Sequence, residues 1–472
     1  MGRGRTAARL AVILASLGRG ACTGGAASAL AGSWAPLAAE LRRTFEGLGP
    51  AFVKLGQFLS VRPDLLPPSA LAEFERLQDR AEPVPFPRIR RRVEGELGAP
   101  LERLFRDFAP EPLAAASLSQ VHRAVLPSGD EVAVKVQRPG AAEAMEGDLR
   151  VAAAVLPLLV PLTPLRGRVD ASALWDELRE TFSDELDFRR EAEVGAAIAR
   201  SLRPVPGVRI PRVYWGWTTR RVLTAEYVEG VKISDPSVRA RADYGELAER
   251  GARVFLKQVL REGLFHADLH PANILITPRG EIAYLDFGIA GRLDAGERRA
   301  VLGALAGLLS RDPPLALRHL GVLGVRVPPE EVPGFAAAVD HIMDEALAPS
   351  LGETSLARIG RGVLAAVYRH RVVFPRKYAL LVKALLTIEG SARLLHPGFS
   401  FEAAARSYLL EAGARELGIG RLLEAGWRGL ALVGAGALVP PPPGAGAPRT
   451  PPEPHTGVTT AAPKEDAPWS IR

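Results

Sequence analysis

The chain has 472 residues, 47% of them hydrophobic, which is enough for two to three packed units. Its single cysteine, Cys22, excludes a disulfide framework and a cysteine-based metal cluster. The 60 Lys and Arg and the 53 Asp and Glu residues give a formal net charge of +7. They are largely interspersed in helical patterns such as ELRRTFEG, so we expect solvated helix faces and no nucleic-acid partner.

Residues 1–20 are basic and contain no acid. The apolar run LAVILASL lies among four arginines, Arg3, Arg5, Arg9 and Arg19. This pattern predicts either a basic amphipathic helix on an anionic membrane surface or a disordered start, and both stay open. The run is too short for an export signal, and no window reaches about 18 uninterrupted apolar residues. We therefore expect a cytoplasmic protein, with peripheral contact at the inner face of the membrane left open.

Residues 1–112 are predicted to be mostly helical, with one helix beginning at Pro50 and carrying Lys54 and Gln57 on one face. Residues 113–136 change to a period of two, which predicts an antiparallel hairpin of SQVHRAVL and EVAVKVQ with Lys135 in its second strand. An ammonium inside a strand needs an anion or water. We expect Lys135 to pair with a helix glutamate and contact nucleotide phosphates; the alternative is an exposed edge-strand lysine.

A long helix rich in acids is predicted over residues 170–202, followed by a strand that runs into a turn over residues 221–230. Helices are expected from the segment after the LDFGIA motif to about residue 430. From Pro440 onward the chain is rich in proline and has no core-forming period, so we expect it to be disordered.

Two motifs carry the chemistry: FHADLHPANILI at residues 265–276 and LDFGIA, which contains Asp286. Asp268 and Asn273 are five residues apart, and a hairpin with the turn TPRG would place Asp286 beside them. An aspartate that orients a hydroxyl or water, together with two hard oxygen ligands, predicts a Mg²⁺-dependent phosphoryl-transfer site. The alternative is a histidine-capped helix start and an ordinary buried hairpin.

The segments AFVKLGQFLSVRPDLLP, PLAAASLSQVHRA, VAVKVQRPG, ELDFRREA, FHADLHPANILI and YLDFGIAG resemble, in this order, the motifs of the UbiB family of atypical kinase-like proteins, also called the ADCK type. The resemblance implies an α+β, bilobal protein-kinase-like fold with an N-terminal helical extension, and the composition adds a disordered Pro-rich tail. It divides the chain into an extension (1–112), an N-lobe with an inserted acidic helix (113–232), a mostly helical C-lobe (233–432) and the tail (433–472).

The resemblance also implies roles for individual residues. Lys135 becomes the phosphate-contacting lysine with Glu191 as its partner, and Asp268 the catalytic aspartate. Asn273 and Asp286 become the metal ligands. The implied nucleotide-binding residues are Ala114, Ala115, Ala116 and Ser117, in the place of a glycine-rich loop, with Glu226 and Val228. The implied occluding residues are Lys54, Gln57, Glu185 and Asp187.

Two of these sets have physical consequences. Alanine lacks glycine's access to positive φ, so the segment 114–117 should be stiffer over the phosphates than a glycine-rich loop. Glu185 and Asp187 are two residues apart, about 200° around a helix, so one lysine can meet both only if the helix is broken there.

Three functions compete. The first is a UbiB-like ATPase that binds ATP and Mg²⁺ and acts in isoprenoid quinone biosynthesis or membrane lipid homeostasis, with lipid or quinone intermediates as partners. The second is a kinase for a protein or small molecule, since HADLHPAN also resembles the loop of aminoglycoside phosphotransferases. The third is a non-catalytic nucleotide-binding scaffold. A long activation segment and an Ala-Pro-Glu sequence are missing after the LDFGIA motif, which disfavours a protein substrate. The complete set of metal and phosphate residues disfavours the scaffold, so the ATPase is the favoured interpretation.

Overall fold

The computed structural model of the chain describes residues 3–31, 33–77, 81–159, 171–203, 205–239, 244–310, 312–346 and 356–413. The Pro-rich segment that was predicted to be disordered lies outside the described residues, and so does the last part of the predicted helical region.

The first part of the chain is helical. Its helices are α1 (Arg3–Ala31), α2 (Ala35–Leu48), α3 (Pro50–Leu59), α4 (Pro68–Glu75), α5 (Phe86–Leu97) and α6 (Leu101–Leu104). The predicted helix start at Pro50 is confirmed. Gly49 separates α2 from α3 at φ +105°, a backbone conformation that favours glycine. The chain leaves the helical region before residue 112, because β1 occupies Asp107–Ala115 and contains two prolines that a helix interior excludes.

Residues 3–20 form part of α1, so the predicted alternative of a disordered start is wrong for them. The Nε atom of Arg9 lies 2.8 Å from Oδ1 of Asp148, and its Nη2 donates to the carbonyl oxygen of Leu48. Ile13 is buried against the following helices, whereas Val12 and Leu14 are exposed. Contact of this helix with an anionic membrane stays a prediction. Among the described residues no helix has the length and apolar character needed to cross a bilayer.

A four-stranded sheet follows in the order β1–β2–β3–β5, with β2 at Ser119–Val125, β3 at Glu131–Gln137 and β5 at Val222–Glu226. The predicted hairpin is confirmed, since β2 pairs antiparallel with β3. Alternate residues of β3, Val132, Val134 and Val136, are fully buried in one core. Lys135 therefore points to the other face of the sheet. Because β3 lies between β2 and β5, the alternative of an edge-strand lysine is wrong.

Between β3 and β5 the chain forms α7 (Ala141–Leu159), α8 (Ala171–Glu185), α9 (Phe188–Leu202) and β4 (Val208–Arg209). The single long helix predicted over residues 170–202 is wrong, because the chain turns between α8 and α9. Asp187 has extended backbone angles there, and its Oδ1 accepts a hydrogen bond from the backbone N–H of Arg189 at 3.1 Å. This aspartate caps α9, and the helical period of the sequence continues across the turn without showing it.

The remaining described residues build a mostly helical unit around the largest hydrophobic core. Its strands are β6 (Val231–Lys232), β7 (Leu264–His266), β8 (Ile274–Ile276), β9 (Ile282–Tyr284) and β10 (Ala290–Arg292). Its helices are α10 (Pro236–Arg239), α11 (Gly245–Lys257), α12 (Ala295–Leu309), α13 (Pro313–Val322), α14 (Val332–Ala346), α15 (Leu356–Arg369), α16 (Arg376–Leu395) and α17 (Phe401–Gly413). The predicted hairpin through TPRG is confirmed as the antiparallel pair β8–β9.

Candidate functional site

A cleft of about 2990 Å³ lies between the sheet, helix α3 and the loops that flank β8 and β9. Of the site residues that the sequence predicted, all except Asp187 line this cleft. They come from five separate parts of the chain, 54–57, 114–135, 185–191, 226–228 and 268–286, and the fold brings these parts together around one cleft.

Lys135 is the residue around which the charges of the cleft are arranged. Its Nζ lies 2.8 Å from both carboxylate oxygens of Glu191, in the first turn of α9, and 3.7 Å from Oδ1 of Asp286. The ammonium also lies 5.3 Å from the centroid of the Phe188 ring. The predicted ion pair of Lys135 with Glu191 is therefore present in the structure, and the catalytic roles of the two residues stay a prediction.

These contacts set the charge states of two of the groups. Burial lowers the pKa of the Lys135 ammonium, but the charges of Asp286 and Glu191 raise it more, so the net shift is upward. The charge of Lys135 lowers the pKa of the half-exposed Asp286 carboxylate more than partial desolvation in the cleft raises it, and the charge of Lys54 adds to the lowering. At neutral pH the cleft therefore offers a fixed cation and a fixed carboxylate side by side.

The hairpin β8–β9 delivers two further groups to the cleft. Asn273 ends a 3₁₀ turn directly before β8, and Asp286 follows β9 by two residues. The backbone N–H of Leu285 donates to the carbonyl oxygen of Asn273 at 2.8 Å, which ties the two ends together. Asp286 has φ +56°, and its Oδ1 accepts from the backbone N–H of Gly288 at 3.2 Å. Aspartate is one of the few residues besides glycine that adopt this conformation readily.

Asp268 is held from two sides by polar groups. The Nδ2 atom of Asn273 donates to the carbonyl oxygen of Asp268 at 3.1 Å and lies 3.4 Å from Oδ2 of Asp268. The backbone N–H of Asp268 donates to Nδ1 of buried His266. The Nε2 atom of His266 lies 3.1 Å from the carbonyl oxygen of Leu285. Burial lowers the pKa of His266, so the imidazole is neutral, accepting at Nδ1 and donating at Nε2. His266 belongs to the motif FHADLHPANILI, and its contacts with Asp268 and Leu285 join this motif to LDFGIA.

Asn273 and Asp286 have donor chemistry that suits Mg²⁺. Since the Asn273 amide nitrogen donates to Asp268, its amide oxygen is left to serve as a ligand. The Asp286 carboxylate is half exposed, so a metal can reach it. Mg²⁺ takes oxygen ligands and in such sites uses one or two protein groups together with substrate phosphates and water. The residues therefore fit this cation.

Helix α3 crosses the cleft with Lys54 and Gln57 on its lining face. The Nζ atom of Lys54 lies 2.8 Å from Oε2 of Glu185, the last residue of α8, and both side chains are largely buried. The helix is broken between Glu185 and Asp187, as one lysine facing both acids would require. Asp187, however, forms an ion pair with Arg220, in which Nε of Arg220 lies 3.0 Å from Oδ2 of Asp187. Lys54 is thus paired with Glu185, one of the two acids in the implied occluding set.

The predicted nucleotide-binding residues lie along the opposite wall. Ala114 and Ala115 end β1, and the backbone N–H of Ala116 donates to the carbonyl oxygen of Ser119 at 2.8 Å, so the alanine segment is part of the β1–β2 ladder. Glu226 ends β5 with its carboxylate 2.5 Å from Nη2 of Arg209. Val228 is buried at the cleft edge. Their contact with nucleotide stays a prediction.

Comparison with known proteins places the chain in a family. The profile of the ABC1 atypical kinase-like domain matches residues 76–319, and that of the UbiB helical domain matches residues 339–400. The chain belongs to the ABC1 atypical kinase-like family. The resemblance to UbiB proteins is thereby confirmed, and so is the kinase-like α+β fold. The boundaries of the four predicted regions stay a prediction.

Several known proteins are similar to this ABC1 chain. A probable protein kinase UbiB of Marinobacter nauticus is 33% identical over 395 residues, which cover 82% of this chain and 72% of that protein. An uncharacterized Synechocystis protein, sll0005, is 35% identical over 374 residues, and the chain spans 55% of its length. The solved complex of Rv3197 with erythromycin from Mycobacterium tuberculosis is 25% identical, with a TM-score of 0.47 over 75% of this chain and 94% of that one.

Sequence reasoning missed one residue of the ABC1 cleft, Lys383 in α16. Its Nζ lies 3.4 Å from Oδ1 of Asp268, and its side chain is 25% exposed. The residue belongs to the segment RKYALLVKALL, where a lysine among apolar residues has the pattern of an ordinary amphipathic helix. No local signal indicates its contact with Asp268, because 115 residues separate the two in the chain.

Proposed function

We propose that the cleft binds Mg-ATP and hydrolyses it slowly, in support of isoprenoid quinone biosynthesis or membrane lipid homeostasis. The observation that carries this proposal is the assembly of Lys135, Glu191, Asp268, Asn273 and Asp286 around one cleft. Phosphoryl transfer needs positioning and charge stabilisation more than covalent help from the protein, and this set provides both.

Each group has a definite task in such a reaction. Glu191 orients Lys135, whose ammonium contacts the phosphates, while Asn273 and Asp286 hold the metal. Mg²⁺, when bound, neutralises charge on the phosphate oxygens. Asp268 accepts a hydrogen bond from the attacking water. As the water oxygen forms a bond to the terminal phosphorus, the water proton passes to Asp268 and from there to solvent. The bond from that phosphorus to the bridging oxygen breaks, its electron pair stays on the bridging oxygen, and ADP leaves.

Helix α3 supports hydrolysis in preference to transfer to a protein. The Lys54–Glu185 pair ties α3 to α8, and Lys54 lines the same cleft as Asp286, whose pKa the charge of Lys54 lowers. In this proposal α3 restricts the entry of a polypeptide acceptor and leaves access to water.

The test is phosphate release by the purified chain with ATP, in Mg²⁺ and in EDTA. We expect phosphate release in the presence of Mg²⁺ and none in EDTA. The release in Mg²⁺ should become faster when anionic liposomes or isoprenoid phenols are added. Absence of Mg²⁺-dependent release would overturn the ATPase. Release that neither liposomes nor phenols change would overturn the connection to lipids and quinones and leave the ATPase standing.

Lys54→Ala is expected to raise autophosphorylation, because loss of the pair with Glu185 frees α3 to move away from the cleft. Incorporation of labelled phosphate into the chain measures this, and a cooperative melting transition shows that the variant is folded. Arg43→Ala is the matched control, since Arg43 is 64% exposed and pairs with Glu40 on the surface of α2. Equal incorporation in the parent chain and both variants would show that α3 does not restrict the acceptor.

A further inference from the structure

Helix α16 contacts the loop of Asp268 at two points. The buried hydroxyl of Ser391 donates to the carbonyl oxygen of Leu269 at 3.0 Å. About two turns earlier on the helix, the Nζ atom of Lys383 lies 3.4 Å from Oδ1 of Asp268. The helix thus fixes the loop backbone with one side chain and places an ammonium at the loop carboxylate with the other.

Two other lysines of the cleft, Lys135 and Lys54, form ion pairs with acids. Lys135 is held by both oxygens of Glu191 and lies near Asp286, and Lys54 is held by Glu185. Residues 266–273, HADLHPAN, include neither lysine nor arginine. Any cation beside Asp268 must therefore come from another part of the chain, and among the described contacts Lys383 is the one that reaches it.

A cation is needed at this point for electrostatic reasons. In the proposed reaction the terminal phosphate approaches Asp268, so two anionic groups come close together in a partly buried cleft. Two like charges at such a short distance repel each other more strongly in a partly buried cleft than in water. An ammonium between them replaces this repulsion with two attractions. The flexible stem of lysine allows it to serve a phosphate while staying near the carboxylate.

We infer that Lys383 binds the terminal phosphate of the nucleotide. This inference rests on the proposed function, since it requires Mg-ATP in the cleft, and it adds a residue that lies outside residues 76–319 and within the helical segment 339–400. The chemistry of the site is then divided between two parts of the chain, with Lys135 on the sheet and Lys383 on α16. The rival explanation is that Lys383 only holds α16 against the loop.

Discrimination between ATP and ADP separates these two explanations, because ADP lacks the terminal phosphate. Two ligands are titrated calorimetrically with Mg²⁺ present: the β,γ-imido analogue of ATP, and ADP itself. Each is titrated into the parent chain, into Lys383→Met and into Lys383→Arg. Methionine keeps the apolar stem without the charge. Arg406→Met is the control, since Arg406 is exposed on α17, pairs with Glu402 and does not belong to the lining of the cleft.

Loss of a charged hydrogen bond to phosphate should weaken the binding of the ATP analogue to Lys383→Met by about tenfold or more. We expect ADP affinity to stay within about twofold, and Lys383→Arg to keep most of the preference for the triphosphate because it keeps the charge. Arg406→Met should match the parent chain for both nucleotides.

If Lys383→Met lost affinity equally for both nucleotides, or for neither, the inference about Lys383 would be overturned. The proposed nucleotide site would still stand, because the parent chain binds the nucleotides in that case. A parent chain that bound neither nucleotide would overturn both. The melting temperature of each nucleotide-free variant shows that it is folded.

Discussion

Asp286→Asn is expected to abolish the stabilisation of the chain by Mg-ATP. The substitution removes the carboxylate from the predicted metal site, and Mg²⁺ binds an amide oxygen far more weakly than a charged carboxylate oxygen. With ATP at about 100 times its dissociation constant, the parent chain should gain about 2.7 kcal/mol in free energy of unfolding, seen as a rise in melting temperature. The variant should show no such rise.

The substitution should change the metal ligand without changing the backbone conformation. Asp286 has φ +56°, and asparagine is among the residues that tolerate this conformation, so the backbone need not change. Asp340→Asn, at an exposed position of α14, is the matched control and should be stabilised as much as the parent chain. Full stabilisation of Asp286→Asn by Mg-ATP would show that Asp286 is not the metal ligand.

Lys135→Met is expected to cause a comparably large loss of nucleotide affinity, and this loss should depend on Glu191. The two side chains are only 20% and 10% exposed, so their interaction should exceed that of a surface pair. A double-mutant cycle of Lys135→Met and Glu191→Gln on ATP affinity should give a coupling energy of about 1 kcal/mol or more.

The outcome distinguishes Glu191 from the neighbouring acids. Additive losses would show that Glu191 does not orient Lys135 toward the phosphates, although the two are in contact. The same cycle with Glu185→Gln provides the comparison, because Glu185 pairs with Lys54 and should couple weakly to Lys135.

The sequence predicted best those features that depend on neighbours in the chain. The strand pattern around Lys135 and the hairpin that joins Asn273 to Asp286 both follow from an alternation of apolar residues and a turn signal. The pair of Lys135 with Glu191 came from the family resemblance, and no periodicity indicates which acid of α9 turns toward the sheet.

The sequence failed where the structure depends on distant contacts or on one capping residue. The break between α8 and α9 is made by Asp187, which caps α9 in a segment whose helical period is uninterrupted. The contacts of Asp187 with Arg220 and of Asp268 with Lys383 join elements far apart in the chain. Such pairs are set by tertiary packing, and the pattern of one sequence does not contain them.

The central claim, that this cleft is a Mg-nucleotide site, is tested most directly by calorimetric titration of ATP into the parent chain. We expect binding of one ATP per chain in Mg²⁺ and a large loss of affinity in EDTA, because Asn273 and Asp286 reach the phosphates through the metal. Absence of binding in Mg²⁺, or equal affinity in Mg²⁺ and EDTA, would contradict the claim.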